Sequence, residues 1–170
     1  EAKSFTEKAR SYVLYFAGMM IEVPSAAAMA DHMFKYADFA SVGTNDLTQY
    51  VMAADRMLGS LADLNTPWQP AVLRLLKIAC DGAAASEKKS PVGVCGEAAA
   101  DPALAVVLVG LGVASLSMTS RALADVDAVL KSVTREDCKR LADIALACAE
   151  AEEARAAVRA DLPILEEPGL

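Results

Sequence analysis

Four short apolar runs, each followed by helix-forming sequence, constrain this chain more than any other feature. They are Tyr15 to Val23, Phe39 to Val42, Pro91 to Val94 and Ala114 to Met118. Each reads as a short, buried parallel strand. Helices are expected over Pro24 to Ala37, Leu47 to Ala54 and Pro70 to Ala85, then from Asp101-Pro102, over Leu123 to Lys131, Arg135 to Ala149 and about Glu150 to Ala160. Pro24, Pro70 and Pro102 stand at helix starts, where a missing N–H costs nothing. Within Pro70 to Ala85, Val72, Leu73, Leu76, Ala79 and Cys80 recur at helical spacing and share one face. Arg56 to Gln69, with Gly59, Asn65 and Pro67, reads as a loop.

Strand alternating with helix means an α/β fold with a parallel sheet. Two closures are compatible with four such units: an open doubly wound sheet, or part of a (β/α)8 barrel. A full barrel takes about 250 residues, and this chain has 170. Glu1 to about Val13 reads as the end of a helix rather than a start. The chain is therefore expected to be a piece of a longer protein, with a loose tail from Pro163 to Leu170.

Charge and cysteine usage narrow the partners. With 16 Lys and Arg against 23 Asp and Glu, the net charge is −7, which argues against a nucleic-acid groove. An anionic small molecule remains compatible, because a bound cation or an arginine reverses the field locally. Cys80, Cys95, Cys138 and Cys148 form no Cys-x-x-Cys pair, so a reducing cytoplasm is expected. The longest apolar run, Ala103 to Val113, is interrupted by two glycines and falls short of a membrane span.

Three reactive side chains fall at or just past strand ends. Glu22 follows Met19-Met20-Ile21, Asp46 follows Phe39 to Gly43, and Cys95 follows Pro91 to Val94. In parallel α/β proteins, ligands bind at that rim. Asp46 lies in Gly43-Thr44-Asn45-Asp46-Leu47-Thr48-Gln49-Tyr50, a dense polar loop followed by Asp55-Arg56. Its carboxylate suits a hard cation, and Arg56 suits a bidentate grip on carboxylate or phosphate; simple helix capping by Asn45 or Asp46 is the competing explanation. Glu22 either binds a cation with Asp46 or pairs with a lysine at the rim. Cys95, beside Gly96, is placed for nucleophilic or acid–base work, whereas the other three cysteines lie on expected helices and read as packing. His32, the only histidine, lies mid-helix and reads as structural or solvent-facing. Trp68 is left between a lid and a partner surface.

Met20-Ile21-Glu22-Val23-Pro24, the Gly43 to Tyr50 string and Gly93-Val94-Cys95-Gly96-Glu97 occur in this order in the phosphoenolpyruvate-utilising enzymes, which the chain resembles from about residue 15 to residue 150. That family includes enzyme I of the bacterial sugar phosphotransferase system, pyruvate phosphate dikinase and phosphoenolpyruvate synthase. Ala99 to Asp101 and Ser115-Leu116-Ser117-Met118 are most similar to enzyme I. The resemblance implies the second half of a (β/α)8 TIM barrel, four β/α units plus C-terminal helices, that binds phosphoenolpyruvate with Mg²⁺. It implies Glu22 and Asp46 as metal ligands, Asn45, Asp46 and Arg56 as substrate contacts, and Cys95 as the acid that protonates the enolate. In that family the phosphoryl group passes to a histidine of an N-terminal domain and then to a small phospho-carrier protein for sugar uptake, releasing pyruvate. The N-terminal domain and two substrate arginines of the first half-barrel have no counterpart here, so the fragment alone is not expected to have full activity. The resemblance further implies a homodimer. A piece of a synthase or dikinase, and a dimerisation scaffold without activity, are the alternatives.

Overall fold

The computed structural model describes residues 16–166; the helix expected over Glu1 to Val13 and the tail beyond Glu166 lie outside them. Strand β1 (Gly18–Ile21) is followed by the short helices α1 (Pro24–Ala28) and α2 (Ala30–Met33). Strand β2 (Phe39–Gly43) runs directly into α3 (Thr44–Met52). A 3-10 turn over Gly59–Leu64 leads to α4 (Pro70–Ala85), which spans the residues its periodicity marks out. Strand β3 (Val92–Cys95), α5 (Glu97–Ala100), α6 (Pro102–Leu111) and β4 (Ser115–Ser117) follow. Helices α7 (Leu123–Lys131), α8 (Arg135–Ala147) and α9 (Ala151–Ala160) complete the chain.

The strands form one parallel sheet in the order β1-β2-β3-β4. Each strand lies beside the one before it, so among the described residues the order never reverses, as a doubly wound sheet requires. One face is covered. Ile21, Ala40, Val42, Val92 and Val94 are buried against helical residues such as Val72, Leu73, Leu76, Leu104 and Leu108. The other face is open, and this corrects the expectation of fully buried strands. Gly18, Met20, Phe39, Ser115 and Ser117 alternate with the covered residues and are exposed.

Helix α6 is buried almost all round, with Ala103 to Leu108 inaccessible to solvent, as a core helix should be. Asp101 caps it, accepting from the N–H groups of Ala103 at 2.9 Å and Leu104 at 3.1 Å. α6 packs on α8 so closely that a Cβ on Gly110 would stand 2.0 Å from the carbonyl oxygen of Cys138. Trp68 is a core residue, neither lid nor partner surface: it is 3% exposed and its Nε1 donates to Asp101 at 2.8 Å.

Two further expectations are corrected. The helix expected over Pro24 to Ala37 breaks at Met29 (φ −105, ψ 20). There the backbone of Ala30 and Asp31 abuts Gly82 of α4, where a Cβ would meet the Asp31 nitrogen at 2.6 Å. The tail is not loose throughout, because Pro163–Glu166 forms a 3-10 turn that lays Ile164 and Leu165 on the core.

Candidate functional site

The register of the sheet places the sequence candidates on one rim. Ile21 pairs with Val42, and Gly43 pairs with Cys95, which pairs with Ser117. Glu22, the residue after Ile21, therefore continues the row Gly43–Cys95–Ser117 at the C-terminal ends of the strands. Its side chain lies across Gly43: a Cβ there would meet Glu22 Cγ and Oε1 at 2.8 Å. The lysine partner considered for Glu22 is not found among the described residues, where no ion pair involves it.

β2 ends at Gly43, which occupies the cap of α3 with φ −82 and ψ 87 and offers no side chain to it. The helix starts three residues earlier than its hydrophobic pattern implies. Asn45 and Asp46 therefore lie in the first turn and are not caps. The first-turn N–H groups of α3 are left without a side-chain acceptor, and Asp46 complements the positive end of the helix dipole.

Arg56 returns to this turn after α3 ends at Ala53 in a left-handed conformation. Its backbone N–H donates to Gln49 Oε1 at 3.4 Å, and its guanidinium stands 3.8 Å from Asp46. Both side chains are more than two-fifths exposed, so the pair is screened and contributes at most about 1 kcal/mol. The guanidinium is thus free to grip an anion. A cleft of about 530 Å³ lies between Asn45, Arg56, Met57, Asn65 and Glu97. A second, of about 500 Å³, adjoins it at Asn45 and Glu97 and reaches Ser117 and Thr119.

Cys95 closes β3. Its Sγ lies 3.5 Å from the carbonyl of Val42, and it is half-buried, unlike the buried Cys80, Cys138 and Cys148. Burial pushes the Cys80 thiol up to about 12, with the Asp81 carboxylate adding to the effect. Burial also raises Cys138 and Cys148, in keeping with their place among packed side chains. His32 is exposed, set edge-on to Tyr36 at 6.0 Å, away from the rim.

The structure thus gathers Glu22, Asn45, Asp46, Arg56 and Cys95 around the end of β2 and leaves out the remaining cysteines, His32 and Trp68. Sequence reasoning missed Glu97, Asn65 and Ser117 as cleft walls; the string Cys95-Gly96-Glu97 is the only local sign of the first. It also missed the hydroxyl of Thr44, which donates to the Cys95 carbonyl at 2.9 Å. Among the described residues no group of three or more His, Cys, Asp or Glu could hold a metal. The donor set nevertheless suits Mg²⁺, which takes one or two carboxylates and completes its shell with water and substrate oxygens. A third cleft, about 280 Å³, runs along β4 between Val109, Leu116, Leu123 and Val126; it is mostly apolar, with Ser115 and Asp127 as its polar members. No helix is long and apolar enough to cross a membrane among the described residues.

Known proteins are similar to this chain in sequence. A phosphoenolpyruvate-protein phosphotransferase of Streptomyces coelicolor is 48% identical over 163 residues, covering 95% of this chain and 29% of the relative. One from Geobacillus stearothermophilus is 44% identical over 136 residues, 80% of the chain and 23% of the relative. A multiphosphoryl transfer protein of Xanthomonas campestris is 48% identical over 139 residues, 82% of the chain and 16% of the relative. The chain therefore spans less than a third of the curated relatives it matches. The family model described as PEP-utilising enzyme, PEP-binding domain, matches residues 3–135, and on these grounds the chain belongs to the PEP-utilising enzymes.

Proposed function

We propose that this chain is the C-terminal part of the barrel domain of a phosphoenolpyruvate-protein phosphotransferase and supplies half of its phosphoenolpyruvate site. The carrying observation is the row Glu22–Gly43–Cys95–Ser117 beside the Asp46–Arg56 pair. It sets a carboxylate, a thiol and a cation around one strand end. The consecutive strand order and single covered face support half of a (β/α)8 barrel.

In this reading Arg56 and the uncapped first turn of α3 bind the phosphate, and Asn45 orients it. Glu22 and Asp46 hold Mg²⁺, which when bound offsets the negative charge of phosphate and enolate. The phosphoryl group leaves for a histidine of a separate domain, and from there reaches a phospho-carrier protein. As the P–O bond breaks, the Cys95 S–H bond breaks as well and a C–H bond forms at the enolate carbon, giving pyruvate. Four free cysteines accord with a cytoplasmic location.

The test is calorimetry of phosphoenolpyruvate binding with and without Mg²⁺, with Asp46→Ala as control. Metal-dependent binding that the substitution abolishes supports the reading; a folded chain that binds nothing, with or without metal, sinks it for this polypeptide. The open sheet face, with Met20 and Phe39 half exposed, and the outer edges of β1 and β4, unpaired among the described residues, favour a second role in self-association. Sedimentation showing only monomer would remove that role.

A further inference from the structure

We infer that Thr44 is the positioning residue that fixes how Cys95 is presented at the rim. The inference rests on the reading of Cys95 as the proton donor. Thr44 is fully buried, and a buried hydroxyl is costly unless it is hydrogen-bonded. Among the described residues its hydroxyl makes one hydrogen bond, donated to the backbone carbonyl of Cys95 at 2.9 Å. The ladder between β2 and β3 ends at the Gly43–Cys95 pair. The hydroxyl therefore supplies one more rung after β2 has turned into α3.

The next residue tightens the link. Gly96 leaves the strand at φ 93 and ψ −164, a conformation that favours glycine. A Cβ on it would stand 3.0 Å from Thr44 Oγ1 and 3.1 Å from Asn45 Oδ1. The peptide between Cys95 and Gly96 is thus held at its carbonyl by Thr44, and at Gly96 the approach of Thr44 and Asn45 leaves little room for a side chain. That leaves the thiol facing the Val42 carbonyl at 3.5 Å. Thr44 immediately precedes Asn45 and Asp46, so one turn of backbone sets both the substrate-side groups and the thiol.

The test is iodoacetamide alkylation of the 170-residue chain, followed cysteine by cysteine by mass spectrometry, without phosphoenolpyruvate or Mg²⁺. Thr44→Val keeps the shape and deletes the donor; Thr44→Ser keeps the donor. Thr44→Val is expected to raise the Cys95 rate roughly fivefold, the factor equivalent to one net hydrogen bond of about 1 kcal/mol. Thr44→Ser is expected to restore the original rate, and Cys80, Cys138 and Cys148 to stay protected. An unchanged Cys95 rate in folded Thr44→Val overturns the inference. So does an equal rise at all four cysteines, which reports general destabilisation instead. Should Thr44→Val not fold, Thr44→Ala deletes the same donor with a smaller side chain; it is expected to give the same selective rise, and an unchanged rate overturns the inference. A parallel arm adds Mg²⁺ and phosphoenolpyruvate to the unsubstituted chain. Failure to shield Cys95 there counts against the substrate reading while leaving the effect of Thr44 to be judged by its own variants.

Discussion

Replacing Gly43 by alanine should separate the site from the fold. The backbone at Gly43, with φ −82 and ψ 87, carries no positive-φ penalty for a side chain. The added Cβ would stand 2.8 Å from Cγ and Oε1 of Glu22 and 3.3 Å from Cδ, against 3.4–4 Å for ordinary contact. The carboxylate must therefore withdraw by at least about 0.6 Å. A flexible glutamate does this by leaving its rotamer, at a cost of about 0.5–1.5 kcal/mol. The lower entropy of the unfolded alanine chain offsets about 0.4–1 kcal/mol of that, so the melting temperature should hardly move. A binding constellation, in contrast, must be held to about 0.5 Å. Mg²⁺-dependent phosphoenolpyruvate affinity should fall about 10–100-fold, as it does when a metal ligand loses its support. Calorimetry and thermal denaturation on the same sample read both quantities, with Glu22→Gln as a control that keeps volume and removes charge. Unaltered affinity in Gly43→Ala would refute the assignment of Glu22. A collapse in melting temperature would refute the claim that Gly43 serves the site rather than the sheet.

Other positions should respond differently. In Gly110→Ala the new Cβ meets the rigid backbone carbonyl of Cys138 at 2.0 Å and Ala142 at 2.8 Å; α6 and α8 must separate, and urea denaturation should show a loss of about 3 kcal/mol or more. Asp101→Ala removes the cap of α6 and strands the buried Trp68 Nε1–H, for a loss of about 2–4 kcal/mol together with a shift in tryptophan emission. The Thr134 side chain and backbone hold the Asp137 carboxyl below its usual value. A depressed folded-state value means stability that is present above the unfolded value and lost as pH falls through the folded one. A carbon-detected NMR titration should place the Asp137 midpoint below 3.8, and Thr134→Val should raise it; an ordinary midpoint in the unsubstituted chain would contradict the capping box.

Much of the architecture is legible because its signals are local. Proline opens α1, α4 and α6, and Asp101 is a cap that reads as one. The apolar rhythm of α4 sets both its ends. Glu22, Asp46 and Cys95 stand out because each follows an apolar run that is too short for a helix. What escapes the sequence depends on partners far along the chain. The bond from Thr44 to Cys95 spans 51 residues, and that from Trp68 to Asp101 spans 33. The early start of α3 is hidden because Gly43 caps without a side chain. The break at Met29 is set by Gly82 on another helix, so no periodicity within Pro24 to Ala37 could announce it.

The open face of the sheet gives the rim its chemistry in another way. Three glycines on it lie under a side chain from the neighbouring strand or its end. The ring of Phe39 covers Gly18, Ser115 Oγ approaches Gly93, and Glu22 covers Gly43. Passing along the strands, the covering group changes from aromatic, through hydroxyl, to carboxylate. The apolar end suits a packed interior, and the last row, with Cys95 beside Gly43, carries the carboxylate and thiol on which the proposed site rests. Because glycine lets each neighbour lie close, the groups in that row owe their positions to the sheet register rather than to mobile loops. In such a rim Cys95 is carried by β3 itself and Glu22 by the residue just past β1, whereas Arg56 hangs on the segment after α3. It follows that substitution of Arg56 should weaken substrate binding with little effect on the reactivity of the Cys95 thiol, whereas shifting Gly43 or Thr44 should disturb the strand-borne groups directly.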